Sequence, residues 1–338
     1  MRARSPKIKS IKPAAGIEGG KILIEGTGFD PEDVSDFRIS FGGILAMPLM
    51  VSSSKVLVQI PEEAKPGSVS VRSKKKNSSE WDFALAEKLS TSVNPVDNPV
   101  VDSEGNLYVT YSGKRGEEVA VSVFRVSPSG EVKPHLTNIP NPTSLAIGPD
   151  GDLYISSRFE GTIYKATPSA DVSVFARELG VPTGLAFGKD GFLYVGDRGG
   201  RILRLSPKAE SSVFAELPES TIAFHLAFDP DGNLLVANPG LSSYNPIWMV
   251  DKYGKVISLY SGFGRPQGIA VDKLGNIYLC EAKAGDSGII KITTDGTIST
   301  LVAGPIVVGL AINDKGTMAI ASPGAIYKVV LPSNGRKN

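Results

Sequence analysis

The chain has 338 residues, more than one ordinary hydrophobic core serves, which predicts two domains. With 36 Lys and Arg against 35 Asp and Glu it is nearly neutral, so no basic footprint for nucleic acid or an anionic membrane is expected. Apolar residues make up 41% and are punctuated by 37 glycines and 24 prolines, a turn-rich all-β composition and not a disordered one. Cys280 is the single cysteine, which excludes an intrachain disulfide and a cysteine-based zinc site and predicts a buried, inert thiol. No stretch reaches the roughly 20 apolar residues of a membrane span. Residues 1–7 are basic, with no apolar signal core behind them. This predicts a cytoplasmic protein on the sequence as given, and a secreted or periplasmic one if a leader has been trimmed.

Residues 6–85 read as short strands separated by Gly and Pro at the spacing of a small sandwich: KIKSIKP, GKILIEGTGF, DFRISFGG, KVLVQIP, GSVSVRS and EWDFAL. Gly26 and Gly28 allow a bulge or bend after a strand. The motif Pro6-x-Ile8-x-x-Ile11-x-Pro13, then Gly19-Gly20, Ile24-x-Gly26-x-Gly28-Phe29, Phe41-Gly42-Gly43 and the turn at Pro61 and Pro66-Gly67 resemble the TIG/IPT immunoglobulin-like domain. Lys74, Lys75 and Lys76 form the one basic run. Beside Asn77-Ser78-Ser79 they are expected at a solvated hairpin tip, and not on a DNA-binding face.

Beyond residue 93 one phrase recurs six times: a small apolar strand, a turn with Gly, a second apolar strand. The copies are PVVDSEGNLYV, LAIGPDGDLYI, LAFGKDGFLYV, LAFDPDGNLLV, IAVDKLGNIYL and LAINDKGTMAI. Their turn glycines, Gly105, Gly151, Gly191, Gly232, Gly275 and Gly316, recur at intervals of 46, 40, 41, 43 and 41 residues. That period, with further strands such as GTIYKATP and VSVFA in each unit, is the period of a β-propeller blade. Such spacing leaves no room for crossover helices, so the sheets are expected to be antiparallel. The predicted fold is all-β: an immunoglobulin-like β-sandwich at 1–85 and a six-bladed propeller of four-stranded antiparallel blades at 86–338. The last unit has three strands, ending at 325–331 before a polar tail at 332–338. The missing fourth strand is expected from 81–92, closing the ring and removing its open edges. Alternatively 81–85 belongs to the sandwich, or the segment divides between the two.

Propeller chemistry gathers at the mouth of the central channel. Aligning the repeats places Asp97, Thr143, Thr183, Phe224, Gln267 and Val308 before the inner strands. Asn98, Ser144, Gly184, His225, Gly268 and Gly309 follow one step later. Tyr111, Ser157, Asp197, Asn238, Glu281 and Ser322 end the second strands. Arg158 and Arg198 occupy equivalent loops and form a candidate fork for a carboxylate or phosphate; the alternative is a surface ion pair such as Arg198 with Asp197. The charged loop at 114–118 is expected to be solvated.

The phrases Pro182-Thr-Gly-Leu-Ala and Pro266-Gln-Gly-Ile-Ala, with the repeated D-G-x-L-Y-V, resemble the NHL and gluconolactonase (senescence marker protein) propellers over about 93–331. The resemblance implies a divalent cation, Ca²⁺ or Zn²⁺, whose ligand positions fall on Asp97, Thr183 and Gln267. Thr183 and Gln267 replace an Asn and an Asp of that family, so one negative charge stands where two are wanted. The similar virginiamycin B lyase propellers use a His and a Glu near a metal, which makes His225 and Glu281 the candidate catalytic pair; the alternative places His225 in the channel wall. Arg158, Asp197, Arg198, Asn238 and Gln267 are the candidate ligand-binding residues. The expected function is a binding or scaffold protein holding a protein, peptide or carbohydrate on the propeller face. A metal-dependent lactonase-like hydrolase with a remodelled site is the alternative.

Overall fold

The computed structural model describes residues 5–32, 36–117, 119–283, 286–313 and 316–331; the polar tail expected at 332–338 and Glu118 of the charged loop lie outside them. Every regular element among the described residues is a strand. In the N-terminal part, Lys7–Lys12, Lys21–Thr27, Lys55–Gln59 and Pro48–Val51 form one sheet in that order. Trp81–Leu85, Gly67–Ser73, Arg38–Phe41 and Ile44–Ala46 form the facing one. Burial alternates along each strand, so Ile22, Ile24, Val56 and Val58 of one sheet meet Ile39, Phe41, Val69 and Val71 of the other in a single buried cluster. Phe41 and Phe83 pack edge to face with centroids 5.8 Å apart. Lys74 and Lys75 sit at the hairpin tip with φ of 51° and 57°, and Lys74 pairs with Asp30 at 3.1 Å.

Six four-stranded antiparallel blades follow, five as separate sheets and the fifth blade continuous with the second sheet of the sandwich. Blade 1 is Val100–Val101, Leu107–Thr110, Val123–Val126 and Val132–Leu136. Blade 2 is Pro142–Ile147, Leu153–Ser157, Thr162–Ala166 and Val172–Ala176, and blade 3 is Pro182–Phe187, Leu193–Asp197, Arg201–Leu205 and Ser211–Glu216. Blade 4 is His225–Phe228, Leu234–Ala237, Asn245–Val250 and Val256–Phe263; blade 5 is Pro266–Val271, Ile277–Lys283, Asp286–Ile292 and Ile298–Ala303. Blade 6 contributes Gly309–Ile312, Thr317–Ser322 and Ala325–Val330. The six repeat glycines all adopt φ between 74° and 87°, which is why the turn between inner and second strand keeps glycine.

The segment at 81–92 divides. Trp81–Leu85 pairs with Gly67–Ser73 in the sandwich, and Glu87–Ser90 pairs antiparallel with Ala325–Val330 as the outer strand of blade 6. Blade 6 then packs on blade 1: Val308, Ala321 and Ile326 share a buried cluster with Val93, Leu107 and Val109. Elsewhere neighbouring blades interlock through aromatics. Tyr154 of blade 2 lies edge to face with Phe187 of blade 3, and Tyr194 of blade 3 with Phe228 of blade 4, with centroids 4.9 and 5.0 Å apart.

The sandwich is joined to the propeller by more than the chain. Ala15–Gly16 runs parallel to Trp81–Leu85 on one side and to Ile298–Ala303, the outer strand of blade 5, on the other. One continuous sheet therefore passes from the sandwich into blade 5. Gly20 makes the approach possible, since a Cβ there would meet the Ala303 carbonyl oxygen at 2.6 Å.

Candidate functional site

The inner strands ring the channel with one edge unpaired, and the polar side chains of the inner ring fill that need. The Leu185 amide donates to Ser144 Oγ at 3.0 Å, tying blade 3 to blade 2. The Phe224 amide donates to Thr183 Oγ1 at 2.9 Å, and Thr183 donates in turn to the Gly196 carbonyl at 3.3 Å. Asn98 spans a wider gap: its amide donates to the Ile269 carbonyl of blade 5 at 2.8 Å and its carbonyl accepts from the Leu310 amide of blade 6 at 2.9 Å.

Asp97 and His225 approach from blades separated by half the ring. His225 Nδ1 lies 2.6 Å from Asp97 Oδ1, with the imidazole fully buried and Asp97 5% exposed. A carboxylate at that distance accepts the Nδ1 proton, which leaves Nε2 buried with no protein partner among the described residues. His225 is therefore paired with Asp97, whereas Glu281 accepts from the Arg265 amide at 2.8 Å and the Gly264 amide at 3.2 Å in its own blade. Cys280 is buried close by. Burial and then the negative charge of Asp97 push its thiol well above the ordinary value. The folded protein should consequently show no thiol reaction with an aromatic disulfide reagent, and one equivalent after unfolding in guanidinium. A titratable thiol in the native state would contradict that burial.

Four of the six residues ending the second strands have a common job, while Ser322 donates instead to the Ala325 carbonyl in its own hairpin. Ser157 donates to the Pro140 carbonyl at 2.6 Å, Asp197 accepts from the Val181 amide at 2.9 Å, and Asn238 donates to the Pro218 carbonyl at 2.8 Å. With Glu281 on Arg265, each braces the loop that leads into its own blade's inner strand. Asp197 also receives Arg201 Nε and Nη2 at 2.9 and 2.6 Å. Its cation is thus Arg201, and not the neighbouring Arg198 that the sequence suggested. Among the described residues no three or more His, Cys, Asp or Glu gather closely enough to hold a metal ion.

The basic groups do gather. Arg158 and Arg198 line a cavity of about 180 Å³ with Phe159, Val181, Thr183 and Ile222, and Arg115 joins them. Arg115 belongs to the charged loop, whose described residues 114–117 are exposed as expected. The loop is held by Asn141, fully buried, which accepts from the Gly116 amide at 2.6 Å and donates to the Ser112 and Lys114 carbonyls at 2.6 and 2.7 Å. Among the described residues no carboxylate lies in salt-bridge range of any of the three arginines. Burial, then the like charges of Arg198 and Arg115, hold the Arg158 guanidinium below its ordinary value.

Residues 6–84 match the IPT/TIG domain family. This stretch is an IPT/TIG domain. Residues 182–205, the first three strands of blade 3, match the N-terminal part of the strictosidine synthase-like family. Comparison of the sequence with curated proteins finds no match. Among solved structures, an auxiliary nutrient binding protein from Bacteroides ovatus is similar over 98% of this chain and 99% of its own, with 15% identity and a TM-score of 0.55. A gluconolactonase from Xanthomonas campestris matches 74% of this chain and 90% of its own at 15% identity and a TM-score of 0.62. Virginiamycin B lyase from Staphylococcus aureus matches 74% of this chain and 99% of its own at 16% identity and a TM-score of 0.54. The propeller behind the IPT/TIG domain thus has the NHL and gluconolactonase architecture. No helix among the described residues is long and apolar enough to cross a membrane.

Proposed function

We propose that this is a binding or scaffold protein whose propeller mouth holds a protein, peptide or carbohydrate ligand, with the IPT/TIG domain fixing its orientation. The observation that carries this reading is that the acids a hydrolase would use are already engaged. Asp97 is bonded to His225, Asp197 to Arg201 and Val181, and Glu281 to Arg265. A Lewis-acid cation needs several uncommitted oxygens. Asp97, Thr183 and Gln267 fit that need poorly, because they carry one carboxylate among them, its Oδ1 already accepts from His225, and the Thr183 hydroxyl both donates and accepts within the ring. His225 and Glu281 are held by different partners, His225 Nδ1 by Asp97 and Glu281 by the Arg265 amide, so each is braced within its own part of the ring. Arg158, Arg198 and Gln267 are the residues expected to touch ligand; Asp197 and Asn238 act through the loops they brace. The nutrient binding protein of Bacteroides ovatus, similar along both parts of the chain, supports the compatibility of this fold with such a role.

Calorimetric titration of the full chain against panels of oligosaccharides and peptides, with and without a chelator, tests the proposal. Binding that persists in chelator, with no turnover of sugar lactones in added Ca²⁺ or Zn²⁺, is the expected result. Chelator-sensitive lactone hydrolysis abolished by Asp97→Ala would replace it with the lactonase reading.

A further inference from the structure

The three arginines stand on equivalent loops of consecutive blades. Arg115 lies between Leu107–Thr110 and Val123–Val126 of blade 1, Arg158 between Leu153–Ser157 and Thr162–Ala166 of blade 2, and Arg198 between Leu193–Asp197 and Arg201–Leu205 of blade 3. All three open on the mouth face and converge on one cavity. Three like charges stand together with no carboxylate among the described residues in salt-bridge range, and their mutual repulsion falls most on Arg158, the one that is not exposed. Arg158 is the least exposed of them, so it also bears a desolvation cost. The arrangement is held in place: Asn141 fixes the loop bearing Arg115 with three hydrogen bonds, and the Arg198 amide donates to the Val181 carbonyl at 3.0 Å. Stored repulsion in a braced cavity is how a protein prepares a site for opposite charge.

We propose that this cavity, resting on the binding reading above, takes an oxyanion group of the ligand, a carboxylate, sulfate or phosphate ester, gripped by Arg115, Arg158 and Arg198. Guanidinium forks suit such groups because two parallel N–H donors match two oxygens of the anion. About 180 Å³ is the room of roughly six waters at ~30 Å³ each, enough for one anionic group and part of the unit that carries it. Phe159 and Ile222 in the wall give that unit an apolar surface. The electrostatic cost is relieved when the anion binds, so occupancy raises stability.

The test uses the full chain in a buffer of low ionic strength and reads thermal unfolding and calorimetric titration. The probes are inorganic phosphate, inorganic sulfate, glucuronate and uncharged glucose, with chloride at matched ionic strength as the reference. At least one oxyanion should raise the melting temperature by several degrees above chloride, while glucose leaves it unchanged. A response to glucuronate alone assigns a carboxylate source, and a response to phosphate or sulfate alone assigns an ester. Arg158→Gln should raise the melting temperature of the anion-free protein and weaken oxyanion binding at least about tenfold. Arg198→Gln, at an exposed position, should weaken binding similarly with the fold intact. Two results overturn the inference: no oxyanion acts beyond chloride, or Arg158→Gln lowers anion-free stability, which would make Arg158 a structural residue. If neutral sugars or peptides still bind in that case, the binding proposal stands without the oxyanion site. Oxyanion binding accompanied by chelator-sensitive lactone turnover would keep the site and remove the binding proposal.

Discussion

Removal of the Asp97 carboxylate should cost the fold about 3 kcal/mol or more, because it leaves His225 buried with no partner at either nitrogen. The imidazole is fully enclosed in the intact pair, so the lost acceptor is a buried one. His225→Ala should cost a similar amount, leaving a nearly buried carboxylate without its donor as well as a cavity. The two losses should not add. Once one partner is gone the contact is gone, so Asp97→Ala/His225→Ala is expected to be more stable than the sum of the single changes by about 2 kcal/mol. Asp97→Asn, which keeps an acceptor of the same shape, should lose about 1–2 kcal/mol, roughly the difference between a charge-assisted and a neutral hydrogen bond. Guanidinium unfolding of the parent and the four variants measures all of this. Additive losses would show that the pair is not a coupled tie across the channel.

The second large effect is steric. Gly309 opens the inner strand of blade 6 where it meets the segment leading into blade 1. A Cβ there would sit 2.4 Å from the Asp97 carbonyl oxygen and 2.7 Å from Asn98 Cα. Both obstacles are backbone, so no rotamer change relieves them, and Gly309→Val should destabilise by about 3 kcal/mol or more. The damage falls at the seam where the first and last blades meet without a peptide bond between them, and where Asn98 bonds to Ile269 and Leu310. Gly309→Val should therefore melt several degrees lower and expose its blade edges, seen as loss of monomer on size exclusion. Gly240→Ala is the control: its nearest new contact is Asn245 Oδ1 at 3.5 Å, and it should melt like the parent.

The blades were legible because each is the same local problem solved again. A Gly that must take positive φ and apolar strands of fixed length recur every 40 residues or so, and local signals of that kind survive in one dimension. The division of 81–92 was legible only as a set of alternatives, because Trp81–Leu85 and Glu87–Ser90 have similar strand character and only the neighbours they find tell them apart. The site was harder. Aligning repeats puts Asp97 and His225 in successive layers of the ring, and nothing in that alignment says that residues 128 apart touch across the channel. Arg115 was missed because its loop is longer than those of blades 2 and 3, which moves it out of register with Arg158 and Arg198. Its one signal was the buried Asn141 that holds the loop, and an Asn before a Pro reads in sequence as an ordinary turn. For the second-strand acids the alignment was right, but the bracing bonds that Asp197 and Glu281 make to the loops before their inner strands are three-dimensional and leave no mark in the sequence.

The ladder from Trp81–Leu85 through Ala15–Gly16 to Ile298–Ala303 makes the IPT/TIG domain a handle and not a pendulum. Hydrogen-bonded strands do not hinge about the bonds they share. The two parts should tumble in solution with one rotational correlation time, and whatever grips the handle also aims the mouth. A ligand held there would face a direction set by Ala15 and Gly16, residues far from it in the chain and in contact with none of it.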